Sequence, residues 1–450
     1  RQQISDSICK IRFHHFQKIM EGDNLISKVT VVGEAGYGST QITPDKTKRD
    51  DPHLTTIPVA ILNLMKSLYG AALLSFPWSF GLSTLIPGVI GIIFSSTYSL
   101  IVCLFVIYCC EQKQTYEFAD LLINYHPIWQ KICSIIIIYV ALSSCLSYVI
   151  LIGDFITLSM QSFGLMFEFD RKVYISIIGV VILTPLTLLK NMQSLKMSSI
   201  FGNFALLYVV LLIIVYAFKF GSAEGTQVII NDWNYAILVV TNVGAKGYCG
   251  SYTMPPMYEQ LKERNFKTML FIALVSWIIV TITYIIFGIC GYYIFGSFAQ
   301  GDILNNFSQD NMWFIVARLA MTISIMGTYP LIFKSLMQTV EYTFFNPNNV
   351  NGYTFSNTKC LRSGIIISIN IILIVVGLVV SNVGIVSSIE GAVTILGLLC
   401  LFPILMMWDT IITQNPLFKT KSHLHNNKKY LYKIILSFLL ILGLCVGISG

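Results

Sequence analysis

Eleven stretches of this chain are apolar for long enough to cross a lipid bilayer. A spanning helix needs about 20 such residues at a rise of about 1.5 Å each. No water in the bilayer core satisfies backbone N–H and C=O groups, so only helices and closed barrels cross it. The runs fall at about 56–81, 87–110, 131–160, 173–190, 197–219, 233–258, 268–296, 313–344, 364–382, 384–408 and 430–449, each of helix length. Charged residues make up 11% of the chain, against about 25% in soluble domains. The expected fold class is therefore an all-α polytopic membrane protein with eleven transmembrane helices.

Residues 1–54 mix basic and acidic side chains around GEAGYGST and read as a largely disordered tail, ahead of a transmembrane domain at 55–450. The opening RQQISDSICKIRF is charged and has none of the apolar run of a secretory leader. Lys and Arg concentrate in alternate loops. Lys113, Lys131, Lys190, Lys196, Lys262, Arg264, Lys267, Lys359 and Arg362 share one side, and Arg171, Lys172 and Lys219 the other. Positive charge marks the cytosolic face, which places the N-terminus inside. Between the second and third spans, EQKQTYEFADLLINYHP suits an interfacial helix or a plain loop. Asn306-Phe-Ser308 is a glycosylation sequon on the expected outer side.

Two of the runs are interrupted at matching places. The first, TIPVAILNLMKSLYGAALLSFPWSFG, holds Lys66, Gly70, Ala71 and Ala72 mid-way and Pro77 further on. Small residues let the backbone leave helical geometry, and proline lacks the N–H that would continue the ladder. The sixth carries VGAKGYCGSYTMPP, and in both runs a lysine stands four residues before a glycine, Lys66 before Gly70 and Lys246 before Gly250. Five spans separate the breaks, so the equivalent segments point oppositely through the bilayer. Paired Gly/Pro-interrupted spans in two inverted halves are the pointer to a transport site at mid-membrane. The expected architecture is a five-plus-five inverted repeat with broken helices one and six.

These residues carry a family resemblance. Ala60-Ile-Leu-Asn63-Leu-Met-Lys66-Ser-Leu-Tyr-Gly70-Ala-Ala-Leu-Leu-Ser-Phe-Pro77-Trp resembles the first-helix signature of the amino acid/auxin permease family. Pro256-Met-Tyr258-Glu259-Gln-Leu261, Ala317-Arg318-Leu319-Ala320 with Tyr329-Pro330, and Gly391-Ala392-Val393-Thr394 with Pro403 resemble its sixth, eighth and tenth helices. The resemblance covers about 56–450 and implies a LeuT-like fold that moves amino acids by alternating access. A bundle of spans one, two, six and seven would rock against a scaffold of three, four, eight and nine. It also favours a vacuolar or lysosomal membrane over the plasma membrane. Sodium-coupled members usually carry Asn where this chain has Lys66, and a hydroxyl residue at a position aligned with Met326. An ammonium can stand in for a bound cation, and a thioether is a poor ligand for a hard ion. Sodium-independent transport, proton-coupled or uncoupled, is the expectation. The rival is an amino-acid sensor of the same fold that signals through its N-terminal tail.

Charges inside a membrane cost about 2.5–3.5 kcal/mol at a helix centre, so they mark function by default. Lys66 and Lys246 are both deep, and with Glu390 form the candidate ion-coupling or cation-surrogate set; a structural tether is the plainer role for each lysine. Glu390 is expected to pair with Arg318, and Asp154 to lie near the outer face as an interfacial cap. N–H groups around Gly70, Ala71 and Ala72 suit a substrate carboxylate. Carbonyls around Gly247, Tyr248 and Gly250 suit its amino group, with Tyr248, Ser144 and Tyr148 shaping the side-chain pocket. Two deep lysines would also suit an acidic substrate group. No nucleophile motif or Walker loop appears, which excludes the common enzyme classes, and no cofactor is implied. Cys103, Cys109, Cys110, Cys133, Cys145, Cys290 and Cys400 sit in apolar runs and no cysteine falls in an expected outer loop, while His423 and His425 sit in a basic loop, so neither disulfide nor metal site is expected. The expected partners are an amino acid substrate and membrane lipid, with no nucleic acid, and the fold can act as a monomer.

Overall fold

A computed structural model describes residues 54–122, 127–162, 170–188, 196–223, 225–344 and 359–410. The N-terminal tail and the expected eleventh span at 430–449 lie outside the described residues.

The first span is a broken pair. Helix α1 (Ile57–Leu68) carries Pro58 in its first turn, where a missing N–H costs nothing, and α2 (Ala72–Ser83) leaves it at 49°. Single helices follow: α3 (Leu85–Lys113), α4 (Pro127–Ser162), α5 (Arg171–Leu188) and α6 (Lys196–Phe220). The sixth span is again split, into α7 (Ile237–Gly247) and α8 (Met254–Glu259), the latter opened by Pro255 and Pro256. Then come α9 (Phe266–Phe295), α10 (Met312–Phe344), α11 (Lys359–Val379) and α12 (Val383–Asp409). Among the described residues eight helices are long and apolar enough to cross a membrane, nine if the bent pair α1–α2 is one span, and α7 is a shorter apolar helix.

Pro77 does not make the first break. It sits inside α2, and its ring fills space that Gly291 on α9 leaves open, where a β-carbon would lie 2.5 Å from Pro77 Cγ. The break is made about two turns earlier, where the Gly70 N–H turns back onto the Leu68 carbonyl at 2.8 Å.

The helices pack in two groups. Helices α2 and α3 pack on each other and on both α7 and α9, α1 packs on α9, and α4 packs with α5, α10 and α11. Helix α6 touches both groups through α9 and α10, and α12 does so through α7 and α4. Apolar Val180, Val181, Ile371, Ile372 and Val375 face outward from α5 and α11, the surface of an integral membrane protein.

The two ends of the bundle differ. On the side from which α1 enters, a parallel bridge ties the chain before α1 to the chain after α8. Thr55 N–H donates to the Gln260 carbonyl (2.8 Å) and Lys262 N–H to the Thr55 carbonyl (3.1 Å). Among the described residues, the segment between α3 and α4 is no interfacial helix there. It forms a short 3-10 turn, Ala119–Leu122, with Phe118, Leu121 and Leu122 buried, held by Lys113 through the Leu121 carbonyl (2.7 Å). A cavity of about 550 Å³ opens on this side, lined by Glu117, Asp120, Ser134, Tyr252, Gln338 and Tyr342 among others.

On the opposite side the loop between α9 and α10 closes the bundle. Ser75 Oγ on α2 donates to the Gly301 carbonyl (2.7 Å), and Arg318 Nη2 reaches inward to the carbonyls of Leu304 (2.9 Å) and Phe307 (2.7 Å). Asp154 forms an ion pair with Arg171 at the same end and also accepts from Asn305 Nδ2 (3.2 Å), so it joins α4 to α5 and the loop, where a simple cap was expected. The sequon residue Asn306 already donates its amide to the Phe298 carbonyl (2.8 Å) and accepts from Gln300 N–H (2.7 Å).

Candidate functional site

Helices α1 and α7 run inward from opposite faces and both stop part-way through the bundle. Each carries a lysine in its last turn, Lys66 and Lys246, at the end where the helix dipole favours positive charge. The breaks touch. A β-carbon on Gly247 would lie 3.3 Å from Ala72 Cβ and 3.0 Å from the Tyr284 ring; one on Gly250 would lie 3.0 Å from Trp277 and 3.3 Å from Leu68. The glycines after Lys246 therefore let two interrupted helices and α9 share one contact.

The aromatic side chains at this contact face α9. Tyr284 Oη donates to the Leu68 carbonyl at 2.6 Å, and Tyr248 Oη bonds Thr281 Oγ1 at 2.8 Å with its ring 5.3 Å from that of Tyr284. The Tyr248 carbonyl accepts from Ser99 Oγ (2.6 Å) and Gly250 N–H (2.7 Å), and the Gly250 carbonyl accepts from Met254 N–H (3.0 Å). Two carbonyls expected to meet a substrate amine are thus engaged within the protein in this conformation. Ala71 and Ala72 stand at the head of α2, where the first-turn N–H groups have no acceptor within the helix.

Beside the first break is a cavity of about 30 Å³, room for about two or three waters, since about 10–15 Å³ holds one. Lys66, Gly70, Ala71 and Tyr148 line it, together with Asn203 on α6 and Ser324 and Thr328 on α10. The Lys66 ammonium fits here because residue 202 is glycine. A β-carbon on Gly202 would lie 2.7 Å from Lys66 Nζ and 2.6 Å from Ser324 Oγ. The span-eight residues at the cavity are Met321, Ser324, Ile325 and Thr328; Met326 is not on its wall. Hydroxyl groups are therefore present on α10, and the case against a sodium ion rests on Lys66.

On the far side of α7, Lys246 and Glu390 form a buried ion pair, Nζ to Oε2 at 2.9 Å, with side chains 5% and 2% exposed. Lys246 Nζ also donates to Ser147 Oγ (2.7 Å) and Ser387 Oγ (3.0 Å), and Ser144 Oγ donates to Glu390 Oε1 (2.5 Å). The expected Glu390–Arg318 pairing is replaced by this one. Arg318 points into the closing loop and is held by backbone carbonyls. Hydrogen bonds help a buried pair to be tolerated; here Ser147 and Ser387 engage the ammonium and Ser144 engages Oε1, while Oε2 faces the ammonium and has no hydrogen bond of its own.

The candidate residues thus separate into three neighbouring places. Lys66, Gly70, Ala71 and Tyr148 share the small cavity; Lys246, Glu390 and Ser144 share the ion pair; Gly247, Tyr248 and Gly250 pack on α9 next to Ala72. Gly202, Ser324, Ser147 and Ser387 were not singled out from the sequence. Ser143, Ser144 and Ser147 stand at helical spacing inside an apolar run, and Ser387 stands three residues before Glu390, which is the signal they offered.

A family profile described as "Transmembrane amino acid transporter protein" matches residues 53–449. The chain is 28% identical over 291 residues to vacuolar amino acid transporter 7 of Saccharomyces cerevisiae, covering 62% of this chain and 58% of that relative's length. It is 25% identical to vacuolar amino acid transporter 5 of Schizosaccharomyces pombe, over 67% of this chain and 74% of the relative. Among solved structures, MhsT in complex with L-phenylalanine superposes with a TM-score of 0.55 at 11% identity, over 87% of this chain and 97% of that one. That likeness shows a LeuT-type fold.

Proposed function

The chain belongs to the transmembrane amino acid transporter family, and from that premise we propose that it is a secondary transporter moving amino acids across a membrane by alternating access. The observation that carries this reading is the meeting of two half-way helices, α1 and α7, at one enclosed contact with a cavity beside it. The N–H groups heading α2 at Ala71 and Ala72 receive the substrate carboxylate, Tyr148 closes over it from α4, and the engaged carbonyls of Tyr248 and Gly250 become available as the break reshapes. The cavity of about 550 Å³ is the vestibule on the cytosolic side, and the loop carrying Gly301 seals the other.

Transport is independent of sodium in this reading. Lys66 places an ammonium between α6 and α10, where it supplies the charge a bound cation would bring and leaves the Ser324 and Thr328 hydroxyls no cation to ligate. The vacuolar names of two relatives favour a vacuolar or lysosomal membrane, with the N-terminus cytosolic. The test is uptake of a mixture of radiolabelled L-amino acids into liposomes holding the purified full chain, in sodium and in choline. Saturable uptake of equal size in both supports the proposal. Uptake only in sodium removes the Lys66 role, and absence of uptake removes transport.

A further inference from the structure

The Lys246–Glu390 pair lies across the boundary that alternating access must move. Lys246 is on α7, in the group with α1, α2, α3 and α9, while its partners stand on α4 (Ser147) and α12 (Ser387, Glu390). Any motion that draws α7 from α4 and α12 separates the ammonium from the carboxylate. Glu390 then remains on α12 with Ser144 as its neighbour and with no compensating charge in a water-poor interior. Under those conditions a carboxylate takes up a proton in preference to holding its charge.

We infer that Glu390 carries the coupled proton of the transport cycle, taking it up when Lys246 leaves and releasing it when the pair re-forms. The inference rests on the transport reading above and adds the identity of the driving ion and of the group that binds it. No covalent step is involved: the proton comes from water on the sealed side once that side opens, and returns to water in the vestibule. The surroundings suit both states. Ser144 donates to the carboxylate now, and its oxygen can accept from the carboxyl O–H afterwards. Lys246 has Ser147 and Ser387 on its other sides. The further titratable groups facing Glu390 are Tyr139, Cys145 and Tyr148 on α4 and Cys249 and Tyr252 in the break after α7; α2 contributes none. Among the described residues interacting with Glu390, Lys246 alone is a cation. With the paired state neutral, each loaded passage carries one positive charge besides the substrate's own.

The experiment uses the purified full chain in liposomes enclosing a pH-sensitive dye, with the potential clamped. A mixture of radiolabelled L-amino acids is added outside, and label and internal pH are read together. The expected result is acidification that accompanies label entry in the unmutated protein and falls by at least about tenfold in Glu390→Gln, whose residual uptake ignores an imposed pH gradient. Glu390→Gln leaves Lys246 buried without its counter-charge, so Lys246→Met/Glu390→Gln, which removes both charges, is measured beside it and is expected to move no protons. Proton movement with label in either variant at the unmutated level overturns the inference. Label entry without acidification in the unmutated protein overturns it too, leaving transport intact. Absence of label entry in the unmutated protein overturns the transport reading, and the proton's role with it.

Discussion

Gly391 on α12 lies so close to Asn242 on α7 that a β-carbon would sit 1.8 Å from the Asn242 carbonyl oxygen. The obstacle is backbone, not the tip of a flexible side chain. Gly391→Ala must push α12 off α7, and overpacking of this kind costs about 1–3 kcal/mol or more. A lowered melting temperature in detergent is the expected outcome. Gly364→Ala on α11, where a β-carbon meets nothing within 4 Å, is the control. It should leave the melting temperature unchanged or raise it, since alanine is the better helix former by about 1 kcal/mol.

Lys66→Asn empties the ammonium from the cavity while leaving oxygen donors at residues 66, 324 and 328. Oxygen ligands suit a hard cation. Uptake by this variant is expected to fall in choline and to recover in sodium, whereas the unmutated protein should not distinguish the two. Labelled uptake in both media decides it, and a variant equally active in each would leave Lys66 a structural tether.

Tyr284→Phe keeps the ring that packs on Phe76 and Tyr248 but removes the hydroxyl that donates to the Leu68 carbonyl. That carbonyl ends α1 and would lose a buried partner, at a cost of about 1–3 kcal/mol. The break should loosen, so both thermal stability and maximal uptake rate are expected to drop. A mutant with unaltered stability would show that water replaces the tyrosine.

Asp302, in the closing loop outside the spans, has its carboxyl pushed up to about 8 by burial and, secondarily, by the charge of Asp154. The folded state therefore holds this proton more firmly than the unfolded chain, whose aspartates titrate near about 3.9. The stability gained is complete below the unfolded value and is lost as pH rises through the folded one. Melting temperatures should accordingly decline from about pH 4 to about pH 8, and Asp302→Asn should flatten that slope. Asparagine can keep the bond that Asp302 Oδ1 accepts from Leu304 N–H (3.1 Å), so the loop itself should survive.

Both broken helices were legible because the cause is local. Gly70 and Gly247–Gly250 interrupt apolar runs whatever surrounds them, and the two lysines mark the same turn of each half. Pro77 misled as a break because a proline inside a helix is tolerated where a neighbour makes room, and Gly291 lies more than two hundred residues away. Partnership between charges was beyond reach for the same reason. Glu390 and Arg318 both sit near the same end of their spans, but which way each side chain faces depends on how α10 and α12 are rotated against α4 and α7. Arg318 turned to backbone carbonyls that no hydropathy pattern announces. Met326 lies two residues from both Ser324 and Thr328, a turn of about 200° at 3.6 residues per turn, so which of them faces the cavity depends on a helix rotation the sequence does not state.

The bridge between Thr55 and the segment at Gln260–Lys262 gears the two broken spans together. Helix α1, at 12 residues, is an arm about 18 Å long pivoted at Gly70, and α8 is a shorter arm pivoted at the turn after Gly247. With their outer ends fastened, neither arm swings alone. A load applied to the chain upstream of Thr55 is felt at both pivots at once, so torque on one span becomes torque on the other.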